Sequence, residues 1–386
     1  MVRASITLVE TSSQGHIALV FDANFHITDS TGKIVASTSD DVDASVAKIG
    51  GANKDRIITV AFSQDGSLFA TCNNEKTVTI YNTADWTAVR SLIIAKRATA
   101  ITFDPSGAYL LIADKFGEVH RTPTALSADE VASKPELLLG HVSIVCDVKM
   151  SHGSPSYVLT CDRDEKLRVS KYPNAYNIQS FGLGHTEFVT TIATAQFAPN
   201  NAVTGSGDGT LRLWDISSGQ LVQTVDLQEL LEPYYTDGRV RMGVSNFEDR
   251  NAATQRYGVL RVRSIEGQRM FVAAVERFPV VVVLSFGEEP ALANVRVVDV
   301  ARPVADVAVL GDRIVAAYAP PSGETTDSDD LAVVLEPTNG DLATDVTLSA
   351  ALNALSTQQI ETAAPAPSIY VWGNKMYMDP PKDDEE

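Results

Sequence analysis

The 386-residue sequence predicts an all-β fold, a seven-bladed β-propeller with divergent first and last blades, and three observations carry that prediction. The first is an internal repeat. Cys161-Asp-Arg-Asp-Glu-Lys-Leu-Arg-Val-Ser-Lys-Tyr172 falls onto Gly205-Ser-Gly-Asp-Gly-Thr-Leu-Arg-Leu-Trp-Asp-Ile216 at an offset of 44 residues, and Gly140-His141 falls onto Gly184-His185 at the same offset. The second is a turn signature: Ala61-Phe62-Ser-Gln-Asp-Gly66 and Thr102-Phe103-Asp-Pro-Ser-Gly107 align at an offset of 41, each reading as a strand, a turn closed by glycine and a second strand. The third is that the rest of the chain is rich in short β runs. A period of about 40 to 45 residues with a Gly-His opening and a Trp-Asp close marks WD-repeat blades, four-stranded sheets that cannot bury their faces alone. Seven of them use roughly 280 to 315 residues, which overrides the two or three domains that length alone suggests.

Taken in order, the first blade falls on Ile17-Ala-Leu-Val-Phe21 through Lys33-Ile-Val-Ala36. The clearest blades follow at about 55–90, 95–125, 138–180 and 182–225, with Thr77-Val-Thr-Ile-Tyr81-Asn82 in the place of Leu211 to Asp215. Residues 217–254 read as a long connection in which Leu227 to Leu231 can form a helix. Two degenerate blades then take up Tyr257–Arg263, Met270–Val275, Val280–Phe286 and Arg313–Tyr318. The propeller occupies 1–345, with Pro320 to Asp330 as a polar loop. Residues 346–386 form a C-terminal segment: Leu348, Leu352 and Leu355 have helical spacing, and Lys382-Asp-Asp-Glu-Glu386 is a disordered acidic end.

Composition narrows the function. A net charge of −18 opposes a polyanion, so any nucleic-acid contact is local or made by a partner. The N-terminus, Met1-Val-Arg-Ala-Ser-Ile-Thr-Leu-Val, has no apolar run of signal-peptide or membrane-span length, which predicts a soluble intracellular protein without a membrane association. Cys72, Cys146 and Cys161 form no Cys-x-x-Cys pair and are read as packed, reduced thiols.

Catalytic chemistry is not indicated, and neither a catalytic, a cofactor-binding nor a metal residue is assigned. Gly205-Ser-Gly-Asp-Gly209 precedes a strand, Leu211-Arg-Leu-Trp214, instead of opening a helix, so it is a turn and not a phosphate loop. No nucleophile elbow and no metal-spaced His or Cys pair occurs. His141 and His185 occupy the Gly-His position, where a turn aspartate and a hydroxyl or indole can hold a buried imidazole. His185, Asp208 and Trp214 are expected to form such a structural set, whereas the blade of His141, with Ser170 in place of the indole, cannot complete one.

One turn departs from the repeat. Where the later copy reads Gly207-Asp208-Gly209, the earlier reads Arg163-Asp164-Glu165, followed by Lys166, Arg168 and Lys171. Lys166 and Arg168, two apart in a strand, share one face. That face is either a solvated edge with compensating charge or a rigid docking edge for an acidic protein surface. A second basic group, Arg239, Arg241, Arg250, Arg256, Arg261, Arg263 and Arg269, is read as a solvated insertion in preference to a second RNA backbone contact.

The run from Thr160 through Asp-Arg-Asp-Glu-Lys, Tyr172-Pro-Asn-Ala-Tyr176 and Gly184-His-Thr-Glu-Phe-Val189 resembles the non-catalytic WD-repeat subunit family of tRNA (guanine-N7)-methyltransferases, mainly over positions 138–216. The resemblance implies a nuclear protein that does no chemistry. It would bind and stabilise, as one half of a heterodimer, a separate S-adenosylmethionine-dependent catalytic subunit that forms N7-methylguanosine in the tRNA variable loop. It further implies that Arg163, Asp164, Lys166, Arg168 and Tyr172 lie at the partner contact, that the cofactor belongs to the partner, and that tRNA is held mainly by the partner. The alternative is a generic WD-repeat scaffold of another intracellular complex.

Overall fold

In a computed structural model, the described residues are 6–39, 46–49, 55–125, 134–236, 258–319, 330–338 and 341–355. They form seven sheets arranged as a ring, one five-stranded and six four-stranded, with strand order following chain order in each. Pairing is antiparallel throughout except where the short Ala47–Lys48 strand runs parallel to Ile34–Ser37 in the first blade. The seven innermost strands are Leu8–Thr11, Ile57–Phe62, Ala98–Phe103, Val145–Met150, Val189–Ala195, Val259–Ile265 and Val304–Leu310. Each packs on the next, and the last packs back on the first.

Glycine-closed turns set the registers. In Ser63-Gln-Asp-Gly66, Asp65 accepts hydrogen bonds from the hydroxyls of Ser63 and Ser67 and from the Ser67 amide, while Gly66 takes φ +72°, a left-handed conformation that costs other L-residues about 1 kcal/mol or more. Gly107 repeats it at φ +70° in the third blade. Because successive strands alternate direction, second-to-third strand turns and blade-to-blade connections share one face of the disc, here the upper face. First-to-second and third-to-fourth turns share the lower face.

The hydrophobic core lies between blades, since each sheet buries both of its faces. Leu159, Cys161, Leu167 and Val169 of the fourth blade pack with Val189, Ile192, Ala202 and Trp214 of the fifth. At about 1.5–3 kcal/mol per fully buried large apolar side chain, this mutual burial is what makes a single blade depend on its neighbours.

Hydrogen bonding divides the chain differently from the sequence repeat. The sheets expected at 55–90, 95–125, 138–180 and 182–225 comprise Ile57–Ile93, Ala98–Gly140, Val145–Leu183 and Val189–Asp226. Gly140 is the last residue of the third blade's outermost strand, Glu136–Gly140, so the Gly-His pair ends one blade and leads into the next. The repeating unit therefore straddles two sheets, and blade ends read from it are shifted.

Closure also has its own device. The seventh blade's outermost strand, Asp341–Thr344, pairs only the far half of Ala332–Thr338. Helix α2, Val346–Ala354, covers the remainder, and Asp345 caps it by accepting from the Leu348 amide. Ser349 Oγ accepts from Val334 N, and Asn353 Oδ1 accepts from Leu331 N and Ala332 N, so the helix satisfies the edge amides that a longer strand would have paired. Leu348 and Leu352 are buried with Ile6, Phe21 and Leu331 across the seam between the last and first blades. Helix α1, Gln228–Thr236, buries Leu231 and Tyr234 against the fifth and sixth blades, where the Tyr234 hydroxyl donates to Asp299 at 2.6 Å. No helix of the described residues is long and apolar enough to cross a membrane.

Candidate partner interface

The fifth blade shows the expected structural set complete. His185 Nδ1 lies 2.9 Å from Asp208 Oδ2, its Nε2 lies 2.7 Å from Thr204 Oγ1, and Trp214 Nε1 donates to the same hydroxyl at 2.8 Å. Asp208 also accepts from the Thr186 and Thr210 amides and the Thr210 hydroxyl. Burial alone would raise the Asp208 pKa, but these donors, His185 first among them, outweigh it and hold the carboxyl well below its usual range. Trp214 is fully buried, and its ring lies so close to the outer strand of the fourth blade that a Cβ on Gly182 would sit 3.0 Å from it.

In the fourth blade the expectation fails in an informative way. His141 does have its set: Nδ1 is 2.8 Å from Asp162 Oδ2 and Nε2 is 2.7 Å from Thr160 Oγ1. Its carboxylate is Asp162 and not Asp164: Asp162 opposes Val145 in the sheet, the place Ser206 takes opposite Val189 in the fifth blade, so the acid is supplied two residues earlier than Asp208. Ser170, standing where the indole stands, accepts from Arg168 Nε at 2.9 Å. The Arg168 guanidinium also donates to Gly140 O at 2.7 Å and Ala175 O at 3.1 Å. The polar lock thus ties the third blade's outermost strand to the fourth blade, in place of a packed ring.

These contacts redistribute the predicted docking residues. Asp164 is exposed and Arg163 and Lys166 are half-buried on the upper-face turn; the Lys166 amide donates to Asp162. Glu165 occupies a left-handed position, φ +71°, where the fifth blade has Gly209 at φ +78°. Arg168 is 7% exposed, so the face it shares with Lys166 is covered at its position, and it braces Gly140 and Ala175 instead of presenting a charge. Tyr172 lies beyond the opposite end of the strand Lys166–Lys171, a span of about 20 Å for six residues. Its hydroxyl is 3.5 Å from Asp104, and burial pushes the phenol up to about 12. The upper-face turn therefore presents Arg163, Asp164 and Lys166 together, but neither the buried guanidinium nor Tyr172.

Of the second basic group, Arg239, Arg241, Arg250 and Arg256 lie outside the described residues. Arg261 and Arg263 are not in a solvated insertion: they sit on the innermost strand of the sixth blade and point into the central channel. Arg261 pairs with Asp306 at 3.0 Å and Arg263 with Glu10 at 2.7 Å, while Lys149 is 3.9 Å from Asp147. Asp147 and Asp306 further accept from Ile192 N and Val9 N, each bridging to the next blade's inner strand. This neutral network leaves a cavity of about 50 Å³, far below the ~300–1,000 Å³ of small-molecule sites. Arg269 is elsewhere, donating to Gly287 O over the Phe197 ring.

Three ligand-type side chains, Asp114, Glu118 and His120, bring atoms within 4.8 Å, but Asp114 Oδ1 already accepts from the Phe116 and Glu118 amides. The cysteine thiols are free; burial pushes Cys72 up to about 12 and raises Cys146 and Cys161 as well, so none is an activated nucleophile.

Residues 124–330 match the tRNA methyltransferase TRM82 WD40 domain, and residues 44–82 match the WD domain, G-beta repeat. The chain belongs to the TRM82 WD40 domain family. The family segment runs from the third blade's outer strand to the seventh blade, and so contains the Arg163–Lys166 turn, the Arg168 lock and the complete fifth-blade set. Curated relatives agree. The chain is 38% identical over 192 residues to the tRNA (guanine-N(7)-)-methyltransferase non-catalytic subunit wdr4 of Xenopus laevis, covering 50% of this chain and 47% of that one. It is 39% identical over 180 residues to the Homo sapiens subunit WDR4 (46% and 42%), and 36% identical over 187 residues to subunit TRM82 of Meyerozyma guilliermondii (46% and 43%). The matches thus span about half the length of these relatives. Among solved structures, U3-55K superposes with TM-score 0.64 at 16% identity, covering 82% of this chain and 88% of that one, and the RRP9 WD40 repeats with 0.63 at 16% (82% and 87%). At that identity the likeness speaks for the fold alone.

Proposed function

We propose that this chain is the non-catalytic subunit of a heterodimeric tRNA (guanine-N7)-methyltransferase, binding and stabilising an S-adenosylmethionine-dependent subunit that carries the reaction. The supporting observation is the family match over 124–330, joined to relatives whose names specify a non-catalytic subunit. The chain's chemistry is consistent with that role. The channel is filled by its own ion pairs, and the net charge of −18 leaves most phosphate contacts to the partner. The upper-face turn Arg163-Asp164-Glu165-Lys166 serves as a docking edge, and Arg168 braces the neighbouring connection at Gly140. The same reading puts the assembly in the nucleus, which fractionation checks.

The test is co-expression with a candidate catalytic subunit, followed by co-purification and methyl transfer to tRNA by each chain and by the pair. Activity that needs both chains supports the reading. Methyl transfer by this chain alone would overturn it, and failure to co-purify would favour a scaffold in another complex. Replacing Lys166 by Glu is expected to weaken the pair about 5- to 30-fold, or ~1–2 kcal/mol, with the propeller still folded.

A further inference from the structure

The upper face around the fourth blade carries more than charge. Val142, in the connection between the third and fourth blades, is 102% exposed, Phe116 in the third blade's turn is 55% exposed, and Leu183 at the end of the fourth blade's outer strand is 62% exposed. Large side chains this open on short, well-braced turns gain nothing for the isolated propeller.

Backbone contacts make them one surface. His141 N donates to Gly117 O at 2.7 Å, and a Cβ on Gly117 would lie 2.6 Å from both His141 O and Ser143 O, so the Val142 connection rests directly on the Phe116 turn. On its other side, Arg163 N donates to Ile144 O at 3.0 Å, joining that connection to the charged turn. Lys166 is the direct cross-strand neighbour of Leu183. The order across the face is therefore Phe116, Val142, the Arg163–Lys166 turn, Leu183.

Cations rim the apolar positions. Lys96 Nζ lies 4.2 Å from the Phe116 ring centroid and Lys115 Nζ lies 5.3 Å from it, and Lys166 stands beside Leu183. In a chain of net charge −18, a face that gathers lysines about exposed apolar side chains is complementary to an acidic protein surface with an apolar centre. Phe116 with two lysines could also stack a nucleobase, but Val142 and Leu183 have no π-face to offer.

We infer that Phe116, Val142 and Leu183 are the apolar anchors of the docking surface, and that Lys96, Lys115 and Lys166 are its steering rim, the occupant being an acid-rimmed apolar patch on the catalytic subunit. This rests on the subunit reading above. It relocates the centre of the interface from the ionic turn to the connection between the third and fourth blades. The anchors set the lifetime of the complex, because apolar groups desolvated at an interface centre dominate its energy. The lysines set the association rate and its salt dependence.

The experiment measures association and dissociation rates of the purified chain with its co-expressed catalytic subunit at low and high salt. The variants are Val142→Asp, Phe116→Ala, Leu183→Ser and the pair Lys96→Glu with Lys115→Glu, each checked for unchanged thermal unfolding. Val142→Asp is expected to weaken binding at least about 30-fold through faster dissociation at both salt concentrations, the scale of a central anchor. The lysine pair is expected to slow association several-fold at low salt and little at high salt. If the wild-type pair binds and the three anchor variants bind equally well, this inference falls while the subunit reading stands. If the wild-type chains do not associate, both fall. If the chain alone binds tRNA and Phe116→Ala abolishes that binding while pairing is untouched, the face is an RNA platform and the inference is overturned.

Discussion

The fourth and fifth blades face the same task, tying the upper end of a sheet to its neighbour, and accomplish it with different side chains. In the fifth, Trp214 stacks on the Gly182 strand and donates to Thr204, completing a His185, Asp208 and Thr204 network that is closed to solvent. In the fourth, the histidine network survives without the ring, and the Arg168 guanidinium spans Ser170, Gly140 and Ala175. A ring packs and is silent at the surface. A guanidinium makes three directional bonds, and the one to Gly140 O holds the connection that displays Val142. On the proposed function, the difference assigns stability mainly to the fifth blade and presentation of a partner surface mainly to the fourth.

The largest expected effect follows from the fifth blade. Trp214→Ala removes a fully buried ring and one donor to Thr204, so a loss of about 3–5 kcal/mol in unfolding free energy is expected by chemical denaturation. A loss under ~1 kcal/mol with binding abolished would reverse the assignment of the two blades.

Arg168→Met tests the fourth. It leaves Gly140 O and Ala175 O without their charged donor, and a destabilisation of about 2 kcal/mol is expected, with partner affinity falling because the Val142 connection is loosened. Arg168→Lys should restore little, since an ammonium cannot span three acceptors in a plane. If Arg168→Glu abolished binding without any loss of stability, the guanidinium would be a contact and not a brace.

Asp208 adds a pH dependence. Its folded pKa is depressed, so the stability it contributes is fully present above the unfolded carboxylate value of about 3.9 and is lost as pH falls through the folded value. Asp208→Asn should cost about 1–3 kcal/mol near neutrality and flatten the decline of stability below about pH 4. An unchanged acid limb would remove Asp208 from the network's energetics.

What the sequence made legible, and what it hid, follows the same division. The propeller and its blade number were readable because a 40–45-residue period with turn glycines is a local signal. The blade ends were not, because the repeat unit crosses from one sheet to the next at Gly140. His185, Asp208 and Trp214 were correctly grouped by spacing. His141 was denied a complete set because Ser170 stands in place of the indole, and the hydrogen bonds show what the spacing hid, a carboxylate from Asp162, two residues before the match to Asp208, and a hydroxyl from Thr160. Arg168 looked like an exposed edge charge because alternation tells which face a residue takes but not what covers that face. Arg261 and Arg263 read as surface arginines for the related reason that their partners, Asp306 and Glu10, arrive from opposite ends of the chain when the ring closes. Phe116 and Val142 carried no motif at all. Their exposure follows from two turns meeting at Gly117.

The smallest effect separates strain kept for function from strain merely tolerated. Glu165 holds φ +71° at the position where the fifth blade uses Gly209, and a left-handed conformation costs a residue with a Cβ about 1 kcal/mol relative to glycine. Glu165→Gly relieves that cost but frees the unfolded chain, so a net stabilisation of only about 0.5 kcal/mol is expected in thermal unfolding. The binding readout gives the variant its value. If the partner complex weakens while the propeller gains stability, the turn retains a strained glutamate because its carboxylate, beside Lys166, helps to fix which surface can dock. If affinity is unchanged, Glu165 belongs to the solvated rim, and the recognition carried by the turn reduces to Lys166 and the apolar anchors beside it.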